Sequence, residues 1–158
     1  MRRKDKEIID LNDKLEIVKI CKYCRLGLSD NNYPYIVPLN YGFSYENNIL
    51  SLYFHSALEG KKMDIIRKNK NACFEIDCDT RLVESEIPCN YGYEFKSIIG
   101  FGEIIILEDI NEKINGLNIL MKHQTGKDIK YDFNVNELNN IIVYKLSVNK
   151  FTGKQKVL

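Results

Sequence analysis

The sequence predicts a mainly β fold, a six-stranded antiparallel barrel with flanking helices. Three observations lead there. The strand-like runs are joined mostly by short turns, which suit hairpins rather than crossovers. Helical periodicity shows in three places only: at the start, after the third strand and before the last. At 158 residues the chain has the length of one ordinary domain, expected to span 1–158 with a core of its own. Hairpins in series with few crossovers favour a barrel over a doubly wound parallel sheet.

Residues 5–22 read as helical, since Ile8, Leu11, Leu15 and Val18 recur at spacings of three and four. Asp10 or Asn12 is placed to cap a second start inside this stretch, so the alternative is a short turn followed by a helix. The period then changes. Leu26 and Leu28 alternate with Gly27 and Ser29, Asp30-Asn31-Asn32 forms a turn cluster, and Tyr35, Ile36 and Val37 resume a strand. Pro34 and Pro38 cannot donate to a ladder, so this second strand is an edge or breaks at Pro38. Asn47-Asn48 makes the next turn, and residues 49–55 form the third strand. A helix follows from Ser56 to about Asn69, with Ser56 and Glu59 at the spacing of a capping box. Asn69-Lys70-Asn71 is a loop, and residues 72–77 alternate as a strand. Residues 79–93 are polar, contain Pro88 and Gly92, and read as a long connection or an edge hairpin. Residues 93–108 make a long strand, apolar enough in its middle to be buried on both faces. Asn111 is placed to cap a helix carrying Ile114, Leu117 and Met121, ending before Gly126. Asn139-Asn140 precedes the last strand, residues 141–148, and FTGKQKVL forms a tail.

Composition narrows the function classes. The net charge of +1 gives no basic field for nucleic acid. Arg2, Arg3 and Lys4 are offset by Asp5 and Glu7, and no apolar run follows them, so no signal peptide is expected. The longest apolar run, IIGFGEIIIL from Ile98, is interrupted by Gly100, Gly102 and Glu103, which argues against a membrane span. Five cysteines without an export signal imply reduced thiols in the cytoplasm.

The stretch with most chemistry in it is LYFHSALEGKK, residues 52–62. A strand delivers His55 and Ser56 to a helix start that also carries Lys61 and Lys62. Unpaired N–H groups, a partial positive charge and two ammonium groups make a seat for a phosphate. The competing reading is a capped helix start with solvated lysines. Other motifs are weaker. Cys21 and Cys24 form a CxxC at the end of a helical pattern, without a second knuckle, and read as buried or half-buried thiols. There is no HExxH, GxSxG or P-loop, so neither a catalytic metal nor a serine nucleophile is expected. Gly100-Phe101-Gly102 lacks a third glycine and sits within a strand, where glycines permit a bulge or the close approach of another backbone. Tyr33, Tyr35, Tyr41, Tyr45, Tyr53, Tyr91 and Tyr93 read as strand tyrosines packed at an interface.

The order of segments resembles the nitroimidazole-resistance branch of the pyridoxamine 5′-phosphate oxidase-like flavoproteins. MRRKDKEI resembles that branch's MRR opening, and YPYIVPLNYGF, residues 33–43, its PYxVPLxY strand. LYFHSALEGKK resembles its YFHSAxxGKK core, and NKNACFEID the strand after it. YEFKSIIGFGEIIIL, residues 93–107, resembles its long strand, and FTGK, residues 151–154, its C-terminal TGK. The match covers nearly the whole chain.

The resemblance implies a split β-barrel that forms a homodimer, with FMN at the interface and two sites built from both subunits. It places the flavin phosphate near His55, Ser56, Lys61 and Lys62, and the ring along Val37, Pro38, Leu39 and Asn40. The partner would supply the long strand around Ser97, Ile98 and Gly100. It implies a flavin-dependent oxidoreductase passing electrons from a reduced nicotinamide or other donor to a small nitro-aromatic acceptor. His55 then either protonates or orients a substrate, or only bonds the flavin or a backbone carbonyl. The alternative is a non-enzymatic carrier or sensor for flavin, a deazaflavin or heme, which a single histidine keeps open. The oxidase proper uses an arginine-rich phosphate pattern absent here, which counts against pyridoxamine phosphate as substrate.

Overall fold

In the computed structural model, which describes residues 2–156, every strand joins one antiparallel sheet. Met1, which opens the MRRKDKEI segment, and Val157 and Leu158, which close the tail, lie outside the described residues. The elements are β1 (Glu7–Ile8), α1 (Leu11–Ile20), β2 (Tyr23–Asp30), β3 (Tyr33–Asn40), β4 (Gly42–Glu46), β5 (Ile49–Ala57), α2 (Lys61–Lys68), β6 (Asn71–Val83), β7 (Gly92–Ile106), α3 (Ile110–Thr125), α4 (Val135–Asn139) and β8 (Ile141–Lys156). The sheet runs β3-β2-β6-β7-β8-β5-β4, with β1 added to β8. It is open rather than a closed barrel. Its two ends, β3 and β4, are separated only by Tyr41 and share no ladder.

The strand count is eight, not the six expected. Both additions follow from pairing. Asn47 and Asn48 both adopt positive φ, 51° and 63°, the conformation of a two-residue hairpin turn that asparagine tolerates. Such a turn forces the residues before it to pair with those after it, and Glu46 stands opposite Ile49. β1 exists because β8 continues to Lys156 and offers Lys154 and Gly153 to Glu7 and Ile8. The expected tail is therefore strand, and the helix expected over 5–22 begins only at Leu11. Asp10 caps it, its Oδ1 accepting from Asn12 N at 2.7 Å and Asp13 N at 3.2 Å.

The second strand runs unbroken through Pro38 as the edge next to β2, so both prolines sit where a missing N–H costs a central ladder nothing. The polar stretch 79–93 divides in three. Past a register shift between Cys78 and Arg81, where Asp79 has φ 55°, β6 continues to Val83; a loop with a turn at Pro88–Asn90 follows; β7 begins at Gly92. α3 is capped by Asp109 rather than Asn111, with Oδ1 accepting from Asn111 N and Glu112 N, and it ends at left-handed Gly126 as expected. The five-residue α4 was not foreseen.

β7 is not buried on both faces within the single chain. Ile98, Gly100, Gly102 and Ile104 face the core, while Ile99, Phe101 and Ile105 are 45%, 47% and 40% exposed. This is the period-two alternation of a strand with one covered face. The glycines serve close approach: a Cβ at Gly102 would meet Ser147 O across a bulge between Phe101 and Gly102, and one at Gly100 would meet the Phe74 ring. The core gathers Leu26, Leu52, Phe54, Phe74, Ile76 and Leu146 among others, with Met63, Ile65 and Ile66 of α2 packed into it. No helix among the described residues is long and apolar enough to cross a membrane.

Candidate functional site

The junction of β5 and α2 departs from its expected form. Ser56 and Ala57 remain in the strand, opposite Ile142 and Ile141 of β8. The helix begins five residues later than expected, at Lys61, after Gly60 at φ 129°, and no side chain among the described residues caps it. The capping box of Ser56 and Glu59 does not form, because β8 supplies ladder partners that far along β5. Gly60 instead lets the chain turn, and its carbonyl accepts from Met63 N at 2.8 Å and Asp64 N at 3.1 Å. The amides of Lys61 and Lys62 precede these first intrahelical bonds.

The two lysines diverge from this start. Lys61 Nζ reaches the end of the β2–β3 hairpin, 3.4 Å from Asp30 Oδ2 and 5.1 Å from the centre of the Tyr35 ring. Lys62 Nζ lies 5.9 Å from the centre of the Tyr144 ring on β8. Burial lowers the pKa of Lys62. At His55, desolvation and then the charge of Lys62 lower the pKa, although the ring remains open to solvent. The first turn of α2 thus sits between two open strand edges. β3 pairs on one side only, with β2, and β5 beyond Tyr53 pairs only with β8.

On β3, Val37 and Leu39 are half-buried and pack on the core, while Pro38 and Asn40 are exposed on the other face. Asn40 Nδ2 donates to Gln124 Oε1 at 3.2 Å and to Lys22 O at 3.5 Å. His55 and Lys62 are brought close enough for the charge of one to act on the other, Ser56 follows His55 on the opposite face of β5, and Lys61 reaches away to the start of β3. The β7 residues are not brought to this junction. β7 stands three places from β3 and two from β5 along the sheet. Ile98 and Gly100 point into the chain's own core, and of the three only Ser97 lies on the outward face with Ile99 and Phe101.

Tyr35, Asp30, Tyr144 and Gln124 escaped sequence reasoning. Tyr35 stands inside the PYxVPLxY stretch but has no lysine near it in sequence and read as a packed strand tyrosine; Asp30 read as a turn residue. Tyr144 occupies a core position of β8, stacks on Phe54 at 5.3 Å and keeps its hydroxyl buried without a hydrogen-bond partner among the described residues. Gln124 is distant in sequence from everything it touches. The CxxC thiols are buried, Cys21 at the end of α1 and Cys24 in β2. Burial pushes both up, Cys24 to about 12, so they stay protonated at neutral pH. Among the described residues no three His, Cys, Asp or Glu side chains gather as metal ligands.

Residues 13–155 match the model of the pyridoxamine 5′-phosphate oxidase family. No curated protein sequence matches the chain significantly. Among solved structures, it is similar to a Bacteroides thetaiotaomicron protein described as a candidate 5-nitroimidazole antibiotic resistance protein. The identity is 31% over 94% of this chain and 86% of the other, with a TM-score of 0.80. The flavocytochrome Anf3 from Azotobacter vinelandii shares the fold at 17% identity and TM-score 0.81, over 100% of this chain and 72% of the other. An FAD and heme binding protein from Mycobacterium smegmatis does so at 13% identity and TM-score 0.81, over 96% and 73%.

Proposed function

This chain belongs to the pyridoxamine 5′-phosphate oxidase family, and from that premise we propose that it is a cytoplasmic, FMN-dependent oxidoreductase of the split-barrel type, resembling nitroimidazole reductases. It passes electrons from a reduced nicotinamide or other donor to a small nitro-aromatic or related acceptor. The observation that carries this reading is the first turn of α2: two lysines and free amides between two open strand edges.

These residues fit a flavin phosphate. Lys61 and Lys62 offer ammonium donors from two sides, Ser56 a hydroxyl, and the helix start its amides. Residues 37–40 offer a one-sided strand along which a flat ring lies. When bound, the flavin supplies the electron-transfer chemistry. The chain orients it and excludes water. His55, with its pKa lowered, is neutral at pH 7, one ring nitrogen donating and the other accepting. That suits holding a ligand better than protonating it. A second copy would cover the outward stripe of Ile99, Phe101 and Ile105 and bring Ser97 to the interface. His55 also supports the second reading, a flavin or heme carrier, since a neutral, solvent-open imidazole is a metal ligand.

The test is the absorption spectrum of the purified protein, followed by FMN titration. Paired flavin bands, quenched FMN fluorescence and turnover of a nitro-aromatic acceptor support the oxidoreductase. A Soret band lost in His55→Ala supports the carrier. A colourless protein that leaves added FMN fluorescent sinks both.

A further inference from the structure

Asn40 is the only polar side chain among residues 37–40, and its amide is not free to choose its orientation. The constraint starts at Gln124, near the end of α3. One amide atom of Gln124 lies 2.8 Å from Lys22 O and 2.8 Å from Tyr41 O. Both partners are carbonyl oxygens and only accept, so this atom is the NH2 group, with both hydrogens committed. The other atom, Oε1, must then accept. It stands 3.2 Å from the Asn40 amide, which has to present its own NH2 group; the same nitrogen is 3.5 Å from Lys22 O, a second acceptor. What remains to Asn40 is Oδ1, an acceptor with no partner among the described residues.

The frame behind Gln124 is itself hydrogen-bonded. His123 is buried, with Nδ1 2.7 Å from Tyr41 O and Nε2 2.9 Å from Lys19 O. Lys22 Nζ donates to His123 O. The end of α3, the end of α1 and the β3–β4 link are thereby tied together, and a flip of the Gln124 amide would set oxygen against two carbonyl oxygens.

We infer that Gln124 is a positioning residue that holds Asn40 with its oxygen on offer, so that the site selects a ring bearing an N–H at its edge over the same ring alkylated there. The inference rests on the flavin reading above and names what that site discriminates. An oxidised isoalloxazine carries one N–H, the imide at N3; its carbonyls would need a donor, which Asn40 does not have to spare.

The experiment titrates FMN and 3-methyl-FMN into the wild-type protein, Asn40→Ala and Gln124→Leu, following flavin fluorescence. The wild type should bind 3-methyl-FMN about 10-fold more weakly, the loss expected when a polar group is left unpaired. In both variants the ratio should fall to about 2-fold or less on the same reasoning. A ratio that persists in either folded variant overturns the inference, since a residue that only supports the fold would weaken both flavins alike. Asn40 is exposed, so Asn40→Ala decides the matter if Gln124→Leu does not fold by circular dichroism. Equal binding of both flavins by the wild type overturns this inference alone. Binding of neither overturns the flavin reading and this inference together.

Discussion

At the start of β3, Tyr35 and neighbouring Asp30 meet Lys61 in view of solvent; at its far end, Asn40 meets Gln124 and Lys22, with buried His123 behind them. The first contact is a charge pair, 61% and 27% exposed, and water competes for it. The second is a web of directed hydrogen bonds to backbone carbonyls that have no easy substitute. The difference teaches a division of labour along one strand. On the function proposed above, the charged end would exchange its internal partner for an anion, whereas the hydrogen-bonded end would keep its shape and present a chosen atom.

Four changes break or sharpen this contrast. The largest effect on binding is expected from Lys61→Ala combined with Lys62→Ala, which should weaken FMN binding on the order of 100-fold by removing two charge-assisted bonds. Fluorescence titration measures it, and unchanged affinity would remove the phosphate assignment. The largest effect on stability is expected from His123→Ala. It removes an imidazole whose two nitrogens lie 2.7 Å from Tyr41 O and 2.9 Å from Lys19 O, of which a neutral ring donates to one, and which packs at 4.8 Å from the Tyr41 ring and 5.1 Å from the Phe43 ring. A loss of about 2–4 kcal/mol in urea unfolding is expected, against under about 0.5 kcal/mol for the lysine pair.

A smaller effect of opposite sign is expected from Asp30→Asn. It frees Lys61 for an incoming phosphate and should tighten FMN binding about threefold, the worth of one exposed ion pair. Weaker binding would mean that Asp30 holds Lys61 in its useful position instead. The smallest effect concerns pH. His55 titrates below the ordinary histidine value of about 6.5. The folded protein resists the proton that the unfolded chain accepts, so stability is full above that value and declines as the pH falls through it. Lys62→Gln should move the His55 midpoint upward in an NMR titration, easily followed because the chain has two histidines. No upward movement would separate the two groups.

Much of the fold was legible because short-range chemistry decided it. Asn31-Asn32 and Asn47-Asn48 turn the chain because asparagine accepts positive φ. Pro34 and Pro38 mark an edge because they lack a donor, and Gly126 ends α3 because it accepts a left-handed cap. The apolar period of α3 and the alternation of β2 and β6 were likewise readable. The proposed site was legible to this extent: His55, Ser56, Lys61 and Lys62 share one stretch, so their nearness along the chain needed no tertiary information.

The rest was decided between distant segments. Ser56 and Glu59 have the spacing of a helix cap, and local preference alone would start the helix there. β8 lies alongside instead, and a ladder bond to Ile142 outweighs a cap worth about 1 kcal/mol. Glu7 and Ile8 become a strand only because β8 runs far enough to meet them. Asn40 gains a fixed orientation only when Gln124 is brought beside it, 84 positions away in sequence. By itself, then, the sequence determined turns, the proline-marked edge, the alternation of β2 and β6 and the identity of the charged stretch, all matters of neighbours within a few residues. Only the tertiary structure decided where strands stop, which edge stays open and which atom Asn40 presents, because those follow from partners that the chain reaches only on folding.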